Sequence, residues 1–381
     1  MRYEFQTASQ VVFGAGTLKE AGKLAKQWGR KALVVTGSDG RRAERLLGVL
    51  TEAHIAVRTL AVAGEPDIEV AARGAQLARD FGAEMVIGIG GGSVIDAAKA
   101  VAGLVRNEEP IETYLEVVGM GMPLCLPPLP WMAIPTTAGT GAEATKNAVL
   151  SVPAHKVKVS LRSPLLYPTI ALIDPELALA TPAAITAATG MDALCQLIEA
   201  YVCSRANPHT DALCAAGIPL VARSLPVAFA QPNDLAARTA MAQGALWSGM
   251  ALANAGLGAA HGFASPLGGL LGAPHGAICG ALLAPVTKAN IAALRRAGAD
   301  TARFHQVARW VTGRADATED EGTAALARLS SQLRIPGLAT HGLTPELIPD
   351  MCARAKQASS MKANPVALSL DELAVILREA L

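Results

Sequence analysis

From Lys31 to about Thr137 the chain alternates two textures. KALVVT (31–36), AVRTLAV (56–62) and MVIGIG (85–90) are short, apolar and rich in β-branched residues. RRAERLLGVLTEAHI and IEVAARGAQLARDFG, which lie between them, repeat apolar residues every three or four positions. Strand and helix thus follow one another in the βαβαβ order of a parallel sheet. A helix is expected over Val94 to Val105, followed by a Pro- and Gly-rich loop from Gly119 to Pro130 and a further short strand in WMAIPTT. EFQTASQVVF, closed by Gly14 and Gly16, predicts an edge strand near the start.

Beyond Asp174 the strand signals nearly vanish. Thr181-Pro182 reads as an N-cap and first helical residue, opening an Ala-rich helix that runs to about Ser204. Asn207-Pro208, Pro232-Asn233-Asp234, Gly272 to Pro274 and Pro336-Gly337 cut the remainder into helical lengths. Ser369-Leu370-Asp371-Glu372 is a capping box for the last helix. The pattern predicts an α/β plus all-α chain, with a Rossmann-like parallel-sheet domain over 1–178 and a helical domain over 179–381. A length of 381 residues suits two domains at roughly 100 to 200 residues each.

Charge narrows the function. Lys plus Arg number 33 against 32 Asp plus Glu, so the chain lacks the positive field that nucleic acid would require. No run of 18 or more uninterrupted apolar residues occurs, which predicts no membrane span. Glu4 and Gln6 stand where an export segment needs apolar residues. Cys125, Cys195, Cys203, Cys214, Cys279 and Cys352 form no CxxC, which predicts buried reduced thiols and a cytoplasmic setting.

Two loops carry candidate chemistry. In MVIGIGGGSVIDAAKAV a buried strand runs into Gly90, Gly91, Gly92 and Ser93 and then a helix, with Asp96 one turn further on. Glycines let backbone amides approach an anion, and the helix N-terminus adds its dipole, so a dinucleotide pyrophosphate fits this turn. Pro135-Thr136-Thr137-Ala138-Gly139-Thr140-Gly141 follows the next strand and offers hydroxyls to the same cofactor. At the end of the first strand Gly37 and Ser38 stand where an acid would bind a ribose hydroxyl. Arg41 and Arg42 follow closely, which tilts the expected cofactor from NAD towards NADP, unless Asp39 takes the ribose.

A third group of residues suits a metal. Asp192 and Gln196 lie at i and i+4 on one helix face, and His261 and His275 bracket a segment whose Pro and Gly residues permit a bend. One carboxylate and two imidazoles are a common donor set for catalytic Fe²⁺ or Zn²⁺. Such an ion polarises an alcohol or carbonyl oxygen while nicotinamide exchanges hydride with the carbon. Cys195, off the Asp192 face, reads as packing.

VVFGAGTL, GGGSVIDAAKA, PTTAGTGAEAT, KVSLRSPLLYP, DPEL, GMDAL, GLGAAHGFASPLGG and APHGA, in this order, resemble the iron-containing (group III) alcohol dehydrogenases. The resemblance implies a dehydroquinate synthase-like fold, an active site in the cleft between two domains, and a homodimer or larger homo-oligomer. By position it implies pyrophosphate contacts at Gly91, Gly92 and Ser93, and a second cofactor loop at Thr136, Thr137 and Thr140. Asn147 and Lys158 fall near the nicotinamide and its ribose. Asp192, His261 and His275 match three of four metal ligands. The fourth, a histidine in the family, is Gln196 here, a weaker neutral donor, and a further histidine beside the nicotinamide is replaced by Ser265.

The expected activity is metal-assisted, NAD(P)-dependent interconversion of a small alcohol and its aldehyde or ketone, with Asp192, His261 and His275 catalytic. One alternative is a metal-independent carbonyl reductase in which His261 or His275 is the general acid. Another is a phosphosugar lyase or cyclase using NAD and zinc on the same fold. Residues 240 to 285 contain no Lys or Arg to hold a substrate phosphate, which disfavours the lyase and suggests a largely apolar substrate. Leu252 and Phe263 are candidate walls for it.

Overall fold

The computed structural model describes residues 2–155, 157–179 and 181–381. They form two compact units. One comprises Thr7–Thr137 and Gly141–Leu179; the other comprises the residues through Gln6, Ala138–Thr140 and the chain after Leu179. A single cut at residue 178 assigns the two short pieces to the sheet-bearing half, whereas their contacts are with the helical one.

The sheet-bearing unit contains β1 (Gln10–Phe13), β2 (Lys31–Gly37), β3 (Ala56–Val62), β4 (Met85–Gly90), β5 (Trp131–Pro135), β6 (Asn147–Val152), β7 (Val157–Arg162) and β8 (Ile170–Ile173). Six of them make a parallel sheet in the order β1-β8-β5-β4-β2-β3, and β6 with β7 forms a separate antiparallel pair. Four helices accompany the strands: α1 (Ala21–Ala25), α2 (Glu44–Glu52), α3 (Ile68–Phe81) and α4 (Gly92–Leu104). β4, β5 and β8 are buried along their whole length, which explains their unbroken apolar sequences. The predicted β2, β3 and β4 match, while the predicted edge strand is only the four residues of β1. β6, β7 and β8 lie where the pattern predicts no strand. Each is short and bordered by prolines such as Pro153, Pro164 and Pro168, which mask the strand signal.

The helical unit holds α5 (Ala183–Val202), α6 (Pro208–Ala230), α7 (Leu235–Asn254), α8 (Ala259–Leu271), α9 (His275–Arg296), α10 (Ala302–Thr312), α11 (Glu319–Gln332), α12 (Ile348–Gln357) and α13 (Leu370–Glu379). Asn207 with Thr210, and Ser369 with Glu372, close reciprocal capping boxes. α5 departs from its predicted cap. Pro182 is the N-cap, and the Thr181 carbonyl instead accepts from Arg238. Contrary to the expectation from uninterrupted runs, α6 and α9 are long and apolar enough to cross a membrane by length and composition. α9 is largely buried in its own unit, and α6 is buried over a third of its apolar window. Phe263 is fully buried in the core, so it is no wall of an open pocket, and Leu252 is half-buried. Cys125 is exposed; the other five thiols are buried and free.

Candidate functional site

The cofactor loop begins where β4 runs out. Gly91 is the N-cap of α4 in extended backbone, and no side chain caps the helix. The amides of Val94 and Ile95 turn back to the Gly91 carbonyl, so the N–H groups of Gly92 and Ser93 remain to face an anion. Gly90 is required for packing: a Cβ there would lie 2.6 Å from Val94 Cβ. The second loop is tied to the first, since the Thr136 amide donates to the Gly90 carbonyl at 2.8 Å. Thr137 Oγ1 lies 3.4 Å from where a Gly91 Cβ would stand. Gly37 ends β2, and nothing lies within 4 Å of a Cβ built on it. Uncapped amides, hydroxyls and open space fit a dinucleotide.

Other candidates have partners of their own. The Asp96 carboxylate accepts from the Val149 amide at 3.1 Å and faces Lys99 at 3.6 Å, tying α4 to β6. Lys99 is fully buried and donates to the carbonyls of Ala142 and Asn147 and to the Thr145 hydroxyl, so it anchors the loop that leads into β6. Asn147 and Lys158 sit on the β6–β7 pair, where Lys158 is held by Glu65. Thr140 belongs to the helical unit. Ser38 follows β2, and Ser265 is an exposed residue of α8.

Asp39 caps the short turn after β2 and grips Arg41 through two hydrogen bonds of 2.9 and 3.0 Å. The guanidinium holds the Asp39 carboxyl below its usual range.

The metal candidates converge within the helical unit. α5 supplies Asp192, α8 supplies His261, and the sharp left-handed turn at Gly272 lets α9 open on His275, so that the two imidazole centroids lie 5.4 Å apart. Asp192 Oδ1 is 3.3 Å from His261 Nε2 and 3.7 Å from His275 Nε2. Gly276 permits this approach, because a Cβ there would meet the Ala188 carbonyl at 2.3 Å. Asp192 and His261 are buried, while the His275 side chain is 42% exposed and gives the cluster an open side.

Two residues absent from the sequence-based set complete the cluster. Cys279 Sγ lies 3.7 Å from Nε2 of both histidines, and it shares with Asp192, His261 and His275 a group of donor atoms all within 4.8 Å of one another. Glu199 accepts from His261 Nδ1 at 2.7 Å and also from the amides of Gly258 and Ala260 at the start of α8. It therefore fixes the imidazole with Nε2 turned to the cluster. Both residues carry a spacing signal: Cys279 is four after His275, and Glu199 is three after Gln196, each on the same helix face. Cys195 does more than pack, for its Sγ is 3.9 Å from His261 Nδ1.

Gln196 reaches the cluster differently from the expected ligand. Its amide nitrogen donates to Asp192 Oδ2 at 3.2 Å, and its oxygen accepts from Ser248 Oγ at 2.7 Å.

Burial and mutual contact pull the charges of the cluster in opposite directions. Burial opposes charge on Asp192, yet the two imidazoles overcome it and hold the carboxyl below its usual value. Burial likewise opposes charge on His261, but Cys279, Asp192 and Glu199 outweigh it and hold the imidazole well above its usual value. Burial pushes the Cys279 thiol well up and the Cys195 thiol to about 11. Oxygen, nitrogen and sulfur donors this close, with one imidazole fixed from behind, fit a divalent ion.

The iron-containing alcohol dehydrogenase family model matches residues 8–175, and the model for the Fe-containing alcohol dehydrogenase family, C-terminal, matches residues 186–381. The NAD-dependent methanol dehydrogenase of Bacillus methanolicus is 35% identical, over 97% of this chain and 97% of its own length. The 1,3-propanediol dehydrogenase of Klebsiella pneumoniae is also 35% identical, over 97% and 96%. The crystal structure of a 1,3-propanediol oxidoreductase superposes with a TM-score of 0.93 at 32% identity, covering both chains completely.

Proposed function

Because this chain belongs to the iron-containing alcohol dehydrogenase family and is an oxidoreductase acting on alcohols, we propose that it interconverts a short, largely apolar alcohol and its aldehyde, using the Asp192 cluster to hold a divalent metal. The observation that carries this reading is the meeting of Asp192, His261 and His275 at 3.3 to 3.7 Å, with Glu199 fixing the His261 tautomer. An ion bound there supplies polarisation of the substrate oxygen, and nicotinamide supplies hydride exchange at the carbon. Asp192 contributes the negative charge that retains a cation, His261 presents a pre-aimed Nε2, and the half-exposed His275 marks the side open to substrate.

Gly91, Gly92 and Ser93 would hold the cofactor pyrophosphate with their amides, while Thr136 and Thr137 flank it. Thr140, Asn147 and Lys158 stay in the reading only through the family resemblance. On the ribose, the Asp39–Arg41 pair favours NAD(H) over the NADP(H) that Gly37 suggested. The nearest guanidinium is already matched by a carboxylate, and that carboxylate suits a 2′-hydroxyl better than a 2′-phosphate. The NAD dependence named for the Bacillus methanolicus relative agrees.

The absence of Lys and Arg from residues 240 to 285 supports a substrate without phosphate or carboxylate. The exposed apolar side of α6 supports a homo-oligomer, and five buried free thiols support a reducing, cytoplasmic setting.

Metal analysis beside turnover of short primary alcohols with NAD⁺, before and after chelation, tests the proposal. Activity should fall with the metal and return on refilling. Full turnover in metal-free protein would instead favour a carbonyl reductase with a histidine acid.

A further inference from the structure

The donor that completes the cluster is a sulfur. We propose that Cys279, and not Gln196, is the fourth protein ligand of the metal, giving an Asp192–His261–His275–Cys279 site that selects Zn²⁺ over Fe²⁺. This rests on the metal reading above and goes beyond it in naming a different ligand set.

The first argument is geometric. Tetrahedral bonds of about 2.0 to 2.3 Å set donor atoms roughly 3.3 to 3.7 Å apart. The separations are 3.3 Å for Asp192 Oδ1 to His261 Nε2 and 3.7 Å for Asp192 Oδ1 to His275 Nε2. From Cys279 Sγ they are 3.7 Å to each imidazole Nε2. These four separations fall in that range and all the donor atoms lie within 4.8 Å of one another, so the four can close on one cation.

The second argument concerns Gln196. Its amide N–H points at Asp192, and its oxygen faces Ser248 Oγ, whose single proton is shared between that oxygen and the Ala245 carbonyl at 2.8 Å. To ligate, the amide would have to turn over and lose its hydrogen bond to Asp192. As placed, it is a positioning residue that holds Asp192 Oδ2 and leaves Oδ1 to the cluster.

The third is chemical. A thiolate is a softer donor than imidazole or amide oxygen and shifts a mixed site towards zinc. With Asp192 it also brings two negative charges to a divalent ion, where a neutral amide brings none. Binding displaces the Cys279 proton, so a proton is released and no oxidant or reductant is involved.

The full-length protein, stripped of metal and refilled with Zn²⁺ or Co²⁺, tests this without reference to turnover. X-ray absorption at the zinc edge should give one sulfur at about 2.3 Å beside nitrogen and oxygen neighbours, and the cobalt form should show a thiolate-to-metal charge-transfer band. Cys279→Ser, a near-isosteric change, should abolish both signals and weaken zinc binding more than about 100-fold, beyond what loss of an outer-shell partner causes. Gln196→Ala should keep both signals, and Cys279→Ala checks that serine oxygen is not substituting. Thermal unfolding in chelator confirms that each variant is folded.

A sulfur-free shell in the unaltered protein overturns the ligand assignment and leaves the metal-assisted function standing. A sulfur signal that survives Cys279→Ser points to Cys195 and also overturns it. Failure of the unaltered protein to bind zinc or cobalt overturns the zinc-selective site, while loss of the proposed function additionally requires full turnover in metal-free protein.

Discussion

In the sheet-bearing unit the candidate chemistry is offered by main chain: Gly92 and Ser93 present their amides at the start of α4, with the Thr137 hydroxyl beside Gly91. In the helical unit it is offered by side chains alone. Asp192, His261, His275 and Cys279 come from three helices, and Glu199 and Gln196 hold two of them in place. A backbone site depends on local conformation, so it should tolerate most side-chain changes except those that fill it. A side-chain site depends on tertiary packing, and each member should be individually costly to remove. The two regions should therefore fail in different ways.

The largest effect belongs to Asp192→Ala. It removes the one carboxylate that contacts both imidazoles, and metal polarisation is worth several kcal/mol, so turnover should drop by roughly 10³-fold or more. Nucleotide affinity, measured by fluorescence titration, should change by less than about twofold, because the pyrophosphate contacts proposed above are main-chain amides of Gly91, Gly92 and Ser93 and not Asp192. Unchanged turnover, or a parallel loss of nucleotide binding, would erase the distinction between the regions.

Next comes Gly91→Asp. Its backbone is extended and a Cβ there makes only ordinary contact with Thr137, so the fold should accept a side chain. The new carboxylate would cap the free amides of α4 itself, changing stability by only a few tenths of a kcal/mol, yet it places like charge where a pyrophosphate binds. Nucleotide affinity should fall at least about 100-fold while zinc content is unaltered, since like-charge contacts cost several kcal/mol. Retained affinity would mean that the pyrophosphate lies elsewhere.

How much was legible in the residues follows the same division. The strand–glycine–helix order of β4 and α4 is local, so the sequence alone locates both the elements and the turn between them. Asp192, His261 and His275 are also recognisable, because Gly276 and the bend at Gly272 accompany them. Glu199 and Cys279 carry no more than their spacing from Gln196 and His275, and a thiol amid AICGALL reads as core until α5, α8 and α9 are packed together. Gln196 depends on packing in the same way: family position suggests a ligand, and only the folded chain shows its amide nitrogen donating to Asp192 and its oxygen accepting from Ser248. Asp96 reads as a cofactor contact beside the glycines, and the fold adds a role that spacing does not show, since its carboxylate accepts from the Val149 amide of β6.

Glu199→Gln sharpens the comparison by leaving every donor atom in place. The amide keeps the size of the carboxylate but weakens the charge-assisted bonds to His261 Nδ1 and to the Gly258 and Ala260 amides. Metal affinity should fall about 10- to 100-fold, the usual cost of losing a partner behind a ligand. Equilibrium dialysis with zinc measures this, and an unaltered affinity would show that His261 needs no orientation from Glu199.

The smallest effect is expected at the edge of the nucleotide region, where a side chain does intrude. Asp39 is exposed and paired with Arg41, so its field is screened and its influence is confined to a group placed directly against it. Asp39→Asn should release Arg41 and remove the charge that repels a 2′-phosphate. The ratio of kcat/KM for NADPH to that for NADH should then rise by about tenfold, while kcat with NADH and metal content stay as they were. A ratio that does not move would show that the 2′-position lies beyond reach of this pair, leaving backbone as the only part of the nucleotide region that discriminates. A ratio that falls would mean that Arg41 already serves a phosphate and that Asp39 positions it, restoring the preference for NADP(H) that Gly37 and the two arginines suggest.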